Sequence, residues 1–135
     1  CKFVRFRDKR PSSRPQEIRQ FLKPKSEGEF SNTLAVFICV EKNDNTSHVQ
    51  KAVEEILRAL DMFKSERDIT IIPFAHLSSN IASPHKAVLL VNELANRLKA
   101  LNININVVSF GYHKDFEFHF AGKGHPGSVA FRDLK

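Results

Sequence analysis

Cysteine is scarce: Cys1 and Cys39 are the two in 135 residues, and they form no metal-type pair. So few thiols fit a reduced, cytoplasmic protein rather than a disulfide scaffold. Long apolar runs are missing as well. No stretch approaches the roughly 18 consecutive apolar residues of a membrane-spanning helix. The opening Cys1-Lys2-Phe3-Val4-Arg5 interleaves charge and carries no signal-peptide pattern. Internal repeats and low-complexity tracts are absent, which sets aside solenoids and tails. No ligand cluster with metal spacing occurs, so neither a metal nor another cofactor is expected. A chain that opens on Cys1 without an initiator Met is expected to be a fragment or a processed form.

What is present describes an ordinary globular domain: 41% hydrophobic and 27% charged residues, enough chain for one core over 1–135. The net charge of +6 is unevenly held. Residues 1–25 carry nine Lys or Arg against Asp8 and Glu17, a balance of +7, and the remaining 110 balance at −1. Clustered cations suit a polyanion such as RNA, whose phosphates reward them. Arg5, Arg7, Lys9, Arg10 and Arg14 are the candidate contacts. A solvated basic segment without a partner is the competing reading of the same charge.

Hydrophobic periodicity orders the chain as β, β, α, β, α, β, β. Residues 1–8 read as a strand with Val4 and Phe6 on one face and Arg5 and Arg7 on the other. Residues 9–33, with Pro11, Pro15, Pro24 and Gly28, read as an irregular connection with a short helix around Gln16–Leu22. The apolar run Leu34–Val40 is a strand covered on both faces. At 47–64, Val49, Ala52, Val53, Ile56, Leu57, Leu60 and Phe63 follow a helical stripe, with Asn45, Thr46 and Ser47 as cap candidates. Ile69–Phe74 is a strand. Ser83-Pro84 opens a second helix with Ala87, Leu90, Val91, Leu94 and Leu98 as its buried stripe. Asn102–Val107 and Asp115–Phe120 alternate as half-wet strands, and Val129–Phe131 could add a short one. The fold class is α/β, a mixed sheet packed by two main helices.

Chemistry-bearing residues gather where strand patterns end or turn. In Pro73-Phe74-Ala75-His76-Leu77-Ser78-Ser79, a small residue precedes an imidazole able to hydrogen-bond a hydroxyl or orient water. Locally, His76 also fits a structural surface histidine. Lys114 follows Phe110-Gly111-Tyr112-His113 and shares parity with Phe116, Phe118 and Phe120. An ammonium among apolar side chains needs a partner or a role, or else it snorkels outward. Lys123-Gly124-His125-Pro126 reads as a turn. His48 and His85 fall at helix termini or faces and receive no role.

These three strings, in this order, together with Leu34–Glu41, resemble the N-terminal editing domain of archaeal-type threonyl-tRNA synthetases over about residues 34–127. The resemblance implies a D-aminoacyl-tRNA deacylase-like fold and hydrolysis of serine wrongly attached to threonine tRNA. It implies that Lys114 and His76 serve catalysis. Ala75, Phe110, Gly111, Tyr112, His113, His125 and Pro126 would line the substrate pocket. In that family the attacking water is thought to be positioned largely by the tRNA's terminal ribose hydroxyl, without a metal. A homodimer and a synthetase module are the further partners implied.

The chain departs from the family pattern at four places. The family's opening strand, ahead of the segment matched by Phe3–Arg7, is expected to be missing, and His113 stands where the family has tyrosine. The interval from Lys114 to Lys123 is two residues longer, and Gly127-Ser128-Val129 replaces Leu-Ala-Glu. Two alternatives therefore stand beside editing: a catalytically silent tRNA-binding or structural domain, and a deacylase for another mischarged or D-aminoacyl-tRNA.

Overall fold

The computed structural model describes residues 3–11, 27–62, 68–74, 77–108, 112–119 and 132–134. Within these, strands β1 (Phe3–Pro11), β2 (Glu27–Ser31) and β3 (Leu34–Ile38) precede helix α1 (Thr46–Met62). Strand β4 (Asp68–Pro73), helix α2 (Pro84–Lys99), β5 (Asn104–Val107) and β6 (Tyr112–His119) follow. The α/β class and its two main helices are as expected. The strands divide into two three-stranded sheets, one antiparallel in the order β2-β1-β6 and one parallel in the order β3-β4-β5.

The parallel sheet is the middle layer, and its alternation explains why. Leu34, Ile69 and Ile71 join the helices in one cluster with Val49, Val53, Ile56, Val91, Leu94 and Leu98. Ile72, Ala35 and Phe37 point the other way, onto Val4, Phe6, Phe30, Phe116 and Phe118 of the antiparallel sheet. Phe37 meets Phe118 at a ring separation of 5.2 Å. Side chains of β3 thus serve two cores, as its unbroken apolar run requires. Where the apolar pattern lapses, hydroxyls pair instead: Thr33 and Thr70, both buried, share a hydrogen bond of 2.9 Å.

Both helices start on the residues their sequences offer. Asn45 caps α1, its Oδ1 accepting from Ser47 N at 2.9 Å, while His48 Nδ1 accepts from Asn45 N at 3.0 Å. The His48 imidazole thus reaches back to the N-cap backbone as the Glu of a capping box does, while the Asn45 side chain caps one residue earlier, at Ser47. Ser83 caps α2, with Pro84 at the first turn. The α1 stripe is buried as expected at Val49, Ala52, Val53, Ile56 and Leu60, with Leu57 partly buried; Phe63 lies outside the described residues. On α2, Val91, Leu94 and Leu98 are buried, joined by Val88 and Ala95, while Ala87 and Leu90 are half-buried.

The 9–33 interval needs correction at both ends. Strand β1 runs on to Pro11, and Glu27–Ser31 is a strand rather than irregular chain. With one large apolar residue, Phe30, β2 carries little periodic signal. It is held by cross-strand pairs instead, Arg5 with Glu29 and Arg7 with Glu27. The expected helix at Gln16–Leu22 and strand at Val129–Phe131 lie outside the described residues.

Candidate functional site

Three parallel strands deliver their exits to one end of the middle sheet. Phe74 N donates to Ile38 O at 2.8 Å, and Val108 N donates to Ile71 O at 2.9 Å. Pro73 pairs with Ile38, and Ile71 with Val107, so β3 and β4 end level while β5 ends two residues earlier along β4. Ligands of parallel α/β sheets gather outside the carboxyl ends of the strands, where helix-free backbone is available.

Two of the three motifs continue from strands, β4 and β5, that end on the same side of this sheet. Pro73-Phe74 leads from β4 into Ala75 and His76, and β5 leads through Val108 into Phe110-Gly111 and then β6. Ala75, His76, Phe110 and Gly111 themselves lie outside the described residues. Tyr112, His113 and Lys114 open β6 opposite Pro11, Arg10 and Asp8 of β1. The register slips between Asp8 and Arg10, leaving Lys9 as the extra residue of a bulge facing this motif. Bulges of this kind recur beside sites because they re-aim neighbouring side chains. The third motif is not brought in by the described backbone. Strand β6 ends at His119, roughly 17 Å from Lys114 by strand rise, and His125 and Pro126 lie outside the described residues.

A cleft of about 510 Å³ runs beside β3 and α1 and ends near the exits of β3 and β4, with no lining residue from β5 or β6 among those described. Its long wall is apolar, from Leu34, Val36, Ile38, Val49, Ile56 and Ala59. Its polar end is made by Glu41, Asp44, Asn45, His48 and Ser78. Asp44 Oδ2 accepts from Glu41 N at 2.8 Å, and Ser78 Oγ donates to Glu41 Oε2 at 2.7 Å. Burial, then the charges of Glu41 and Asp44, push the Cys39 thiol above its ordinary pKa, with a Ser78 backbone hydrogen bond opposing. At the far wall, Arg132 Nε donates to Glu55 Oε2 at 3.2 Å and ties the chain's end to α1. Among the described residues no group of His, Cys, Asp or Glu could hold a metal ion. No described helix is long and apolar enough to cross a membrane.

The expected RNA-facing arginines fall on the outer face of the antiparallel sheet. Arg5 reaches Glu29 at 3.1 Å and Glu117 at 2.8 Å, and Arg7 reaches Glu27 at 3.2 Å. The hydrogen bond to Glu29 and the charge of Glu117 hold the Arg5 guanidinium protonated even beyond its normal range. The side chains of Lys9 and Arg10, and all of Arg14, lie outside the described residues. Glu41 and Ser78 are residues the motif reading overlooked. Their signal was in plain view, since Ser78 belongs to the histidine motif and Glu41 closes the β3 run. Their pairing across 37 positions was not.

Comparison with known proteins agrees with the geometry. A family model described as the archaea-specific editing domain of threonyl-tRNA synthetase matches residues 2–134. The chain is 37% identical over 113 residues to the threonine–tRNA ligase of Methanobrevibacter smithii, covering 82% of this chain and 18% of that protein. It is 36% identical over 123 residues to the threonine–tRNA ligase of Staphylothermus marinus, covering 90% of this chain and 19% of that protein. The chain thus spans about a fifth of the length of such relatives. Among solved structures, the c-Myc DNA Unwinding Element Binding Protein superposes with a TM-score of 0.62 at 15% identity, over 90% of this chain and 93% of that one. That likeness carries the D-aminoacyl-tRNA deacylase-like fold and nothing finer. With the match running nearly end to end, the chain belongs to the archaea-specific editing domains of threonyl-tRNA synthetase.

Proposed function

We propose that this domain hydrolyses seryl-tRNA(Thr), freeing serine and intact tRNA before the wrong residue reaches protein. The observation that carries the reading is convergence: in a member of an editing-domain family, the histidine and lysine motifs leave adjacent elements at one sheet end. Water adds to the ester carbonyl, the bond from that carbon to the ribose oxygen breaks, and a proton passes to the departing ribose oxygen. Lys114 stabilises the oxyanion or holds ribose and water in line. His76 orients the hydroxyl or the water. Ala75, Phe110, Gly111, Tyr112, His113, His125 and Pro126 line the pocket. Lys9, Arg10 and Arg14 supply phosphate contacts, while Arg5 and Arg7 keep their glutamate partners and add little. The domain acts as a homodimer in the cytoplasm, attached to or serving a synthetase module, and needs no metal.

Serine selectivity needs more than fit. A methyl-sized difference in an apolar pocket yields only about 1–3 kcal/mol, so a steric wall or an unsatisfied hydroxyl must add to it.

Lys114→Met tests the assignment. Loss of one oxyanion stabiliser commonly costs roughly 3–4 kcal/mol, so single-turnover hydrolysis of seryl-tRNA(Thr) is expected to fall by two to three orders of magnitude (about 10²–10³). A variant as fast as the wild type removes Lys114 from the chemistry. A wild type that binds seryl-tRNA(Thr) without hydrolysing it supports a silent tRNA-binding domain instead, the outcome suggested by Gly127-Ser128-Val129.

A further inference from the structure

The polar end of the cleft holds a hydrogen bond that the motif chemistry does not use. Ser78 Oγ donates to Glu41 Oε2 at 2.7 Å, partly buried. Glu41 lies three residues past Ile38, whose carbonyl accepts from Phe74 N at 2.8 Å. The chain leaving β4 is therefore tied to the exit of β3 on both sides of Ala75, His76 and Leu77. Behind Ser78 the ties continue. Asn80 N donates to Ser78 Oγ at 3.0 Å, Lys42 N to Asn80 O at 3.1 Å, and Ala82 N to Val40 O at 2.9 Å. Asp44 Oδ2 accepts from Glu41 N at 2.8 Å, which fixes the backbone that carries the acceptor.

These bonds differ in kind. Those from Lys42 and Ala82 join backbone to backbone and survive any side-chain change at Glu41. The Glu41–Ser78 bond has an ionised acceptor, which makes it roughly twice as strong as a neutral one. It is also the side-chain tie nearest in sequence to His76 on its C-terminal side. Phe74 and Ser78, four positions apart in the chain, are thus both anchored to the exit of β3. Removing one anchor restores freedom where a misplacement of about 1 Å can cost about 100-fold in rate.

We propose that Glu41, acting through Ser78, is a positioning residue for the deacylation, anchoring the chain at Ser78, two positions after His76. The assignment rests on the editing reading above. Glu41 acts here through Ser78, whose Oγ it accepts from, rather than on the reacting atoms. It holds the Ser78 end of the histidine motif, so its loss is felt in the rate of the chemical step more than in affinity or folding.

The test compares Glu41→Ala, Ser78→Ala, their double variant and Glu41→Gln in single-turnover hydrolysis of seryl-tRNA(Thr). tRNA affinity, thermal midpoint and amide exchange over residues 75–80 are read in parallel. Each alanine variant is expected to hydrolyse about 10- to 100-fold more slowly, with the double variant no slower than the slower single one. Affinity holds within about twofold, and exchange quickens at 75–78 (the rate and exchange changes together mark positioning). Glu41→Gln keeps an acceptor oxygen and restores most of the rate. Ser78→Ala, which removes a single oxygen atom, decides the matter should Glu41→Ala fail to fold. Wild-type hydrolysis with unchanged rate and exchange in the alanine variants overturns the positioning role and leaves editing intact. A wild type that hydrolyses nothing overturns both.

Discussion

At the scale of single residues, the described arginines of β1 are matched by carboxylates on its neighbouring strands. Arg5 sits between Glu29 and Glu117, so its cation is already balanced before RNA arrives. Arg5→Ala is therefore expected to change the slope of log affinity for tRNA against log salt by less than about 0.5. A loss of about 0.7–0.9, the value of one neutralised phosphate, would show that the guanidinium leaves its glutamates for the backbone of the tRNA. Cys39 gives a second test. Burial and the charges of Glu41 and Asp44 disfavour its thiolate in the fold. A folded pKa above the unfolded one contributes stability that is complete below the unfolded value, about 8.5, and is lost as pH rises through the folded value. In a Cys1→Ser background, iodoacetamide is expected to alkylate Cys39 with a pH midpoint above that of the same thiol in urea. A midpoint at or below the unfolded value contradicts the burial account. None of this was legible beforehand. The Arg5 and Arg7 alternation could be read from residues 1–8, but their glutamate partners lie 20 or more positions away.

At the scale of elements, what could be read was whatever repeats locally. The α1 stripe, the Ser83-Pro84 start of α2 and the two-faced β3 run each follow from neighbours within a few turns. Strand β2 escaped because its support is nonlocal: two glutamates, one phenylalanine and a glycine say little until β1 lies beside them. Gly28 shows how closely that fit is drawn. It pairs with Phe6, and a Cβ there would come within 3.0 Å of the Phe6 ring and 3.2 Å of the Phe30 ring. Phe6 is buried in the inter-sheet core, and the two rings stack at 6.2 Å. Gly28→Ala is expected to destabilise the domain by about 1–3 kcal/mol through this overpacking, read as a lower denaturation midpoint at unchanged m-value. A neutral or stabilising effect would mean that the rings yield freely. The split into two sheets was equally unreadable, because strand partners are set by pairing across the chain rather than by pattern within a strand.

At the scale of the molecule, layering makes the site. Helices close one face of the parallel sheet and the antiparallel sheet closes the other, which leaves the strand ends as the place where backbone groups stay open to a ligand. The chain crosses from one sheet to the other through Phe110-Gly111, and β6 then returns along β1. The motifs announced a site before any geometry was known. That β4 and β5, from which two of them continue, end on the same side of the parallel sheet emerged only from the topology. The measurement that tests the account most directly is the hydrolysis rate of seryl- and threonyl-charged tRNA(Thr) by the wild-type chain under identical single-turnover conditions. The account predicts rapid release of serine, with threonine released at least about tenfold more slowly, the lower bound for discriminating one methyl group. Equal rates for the two, or serine release no faster than in buffer, would contradict it.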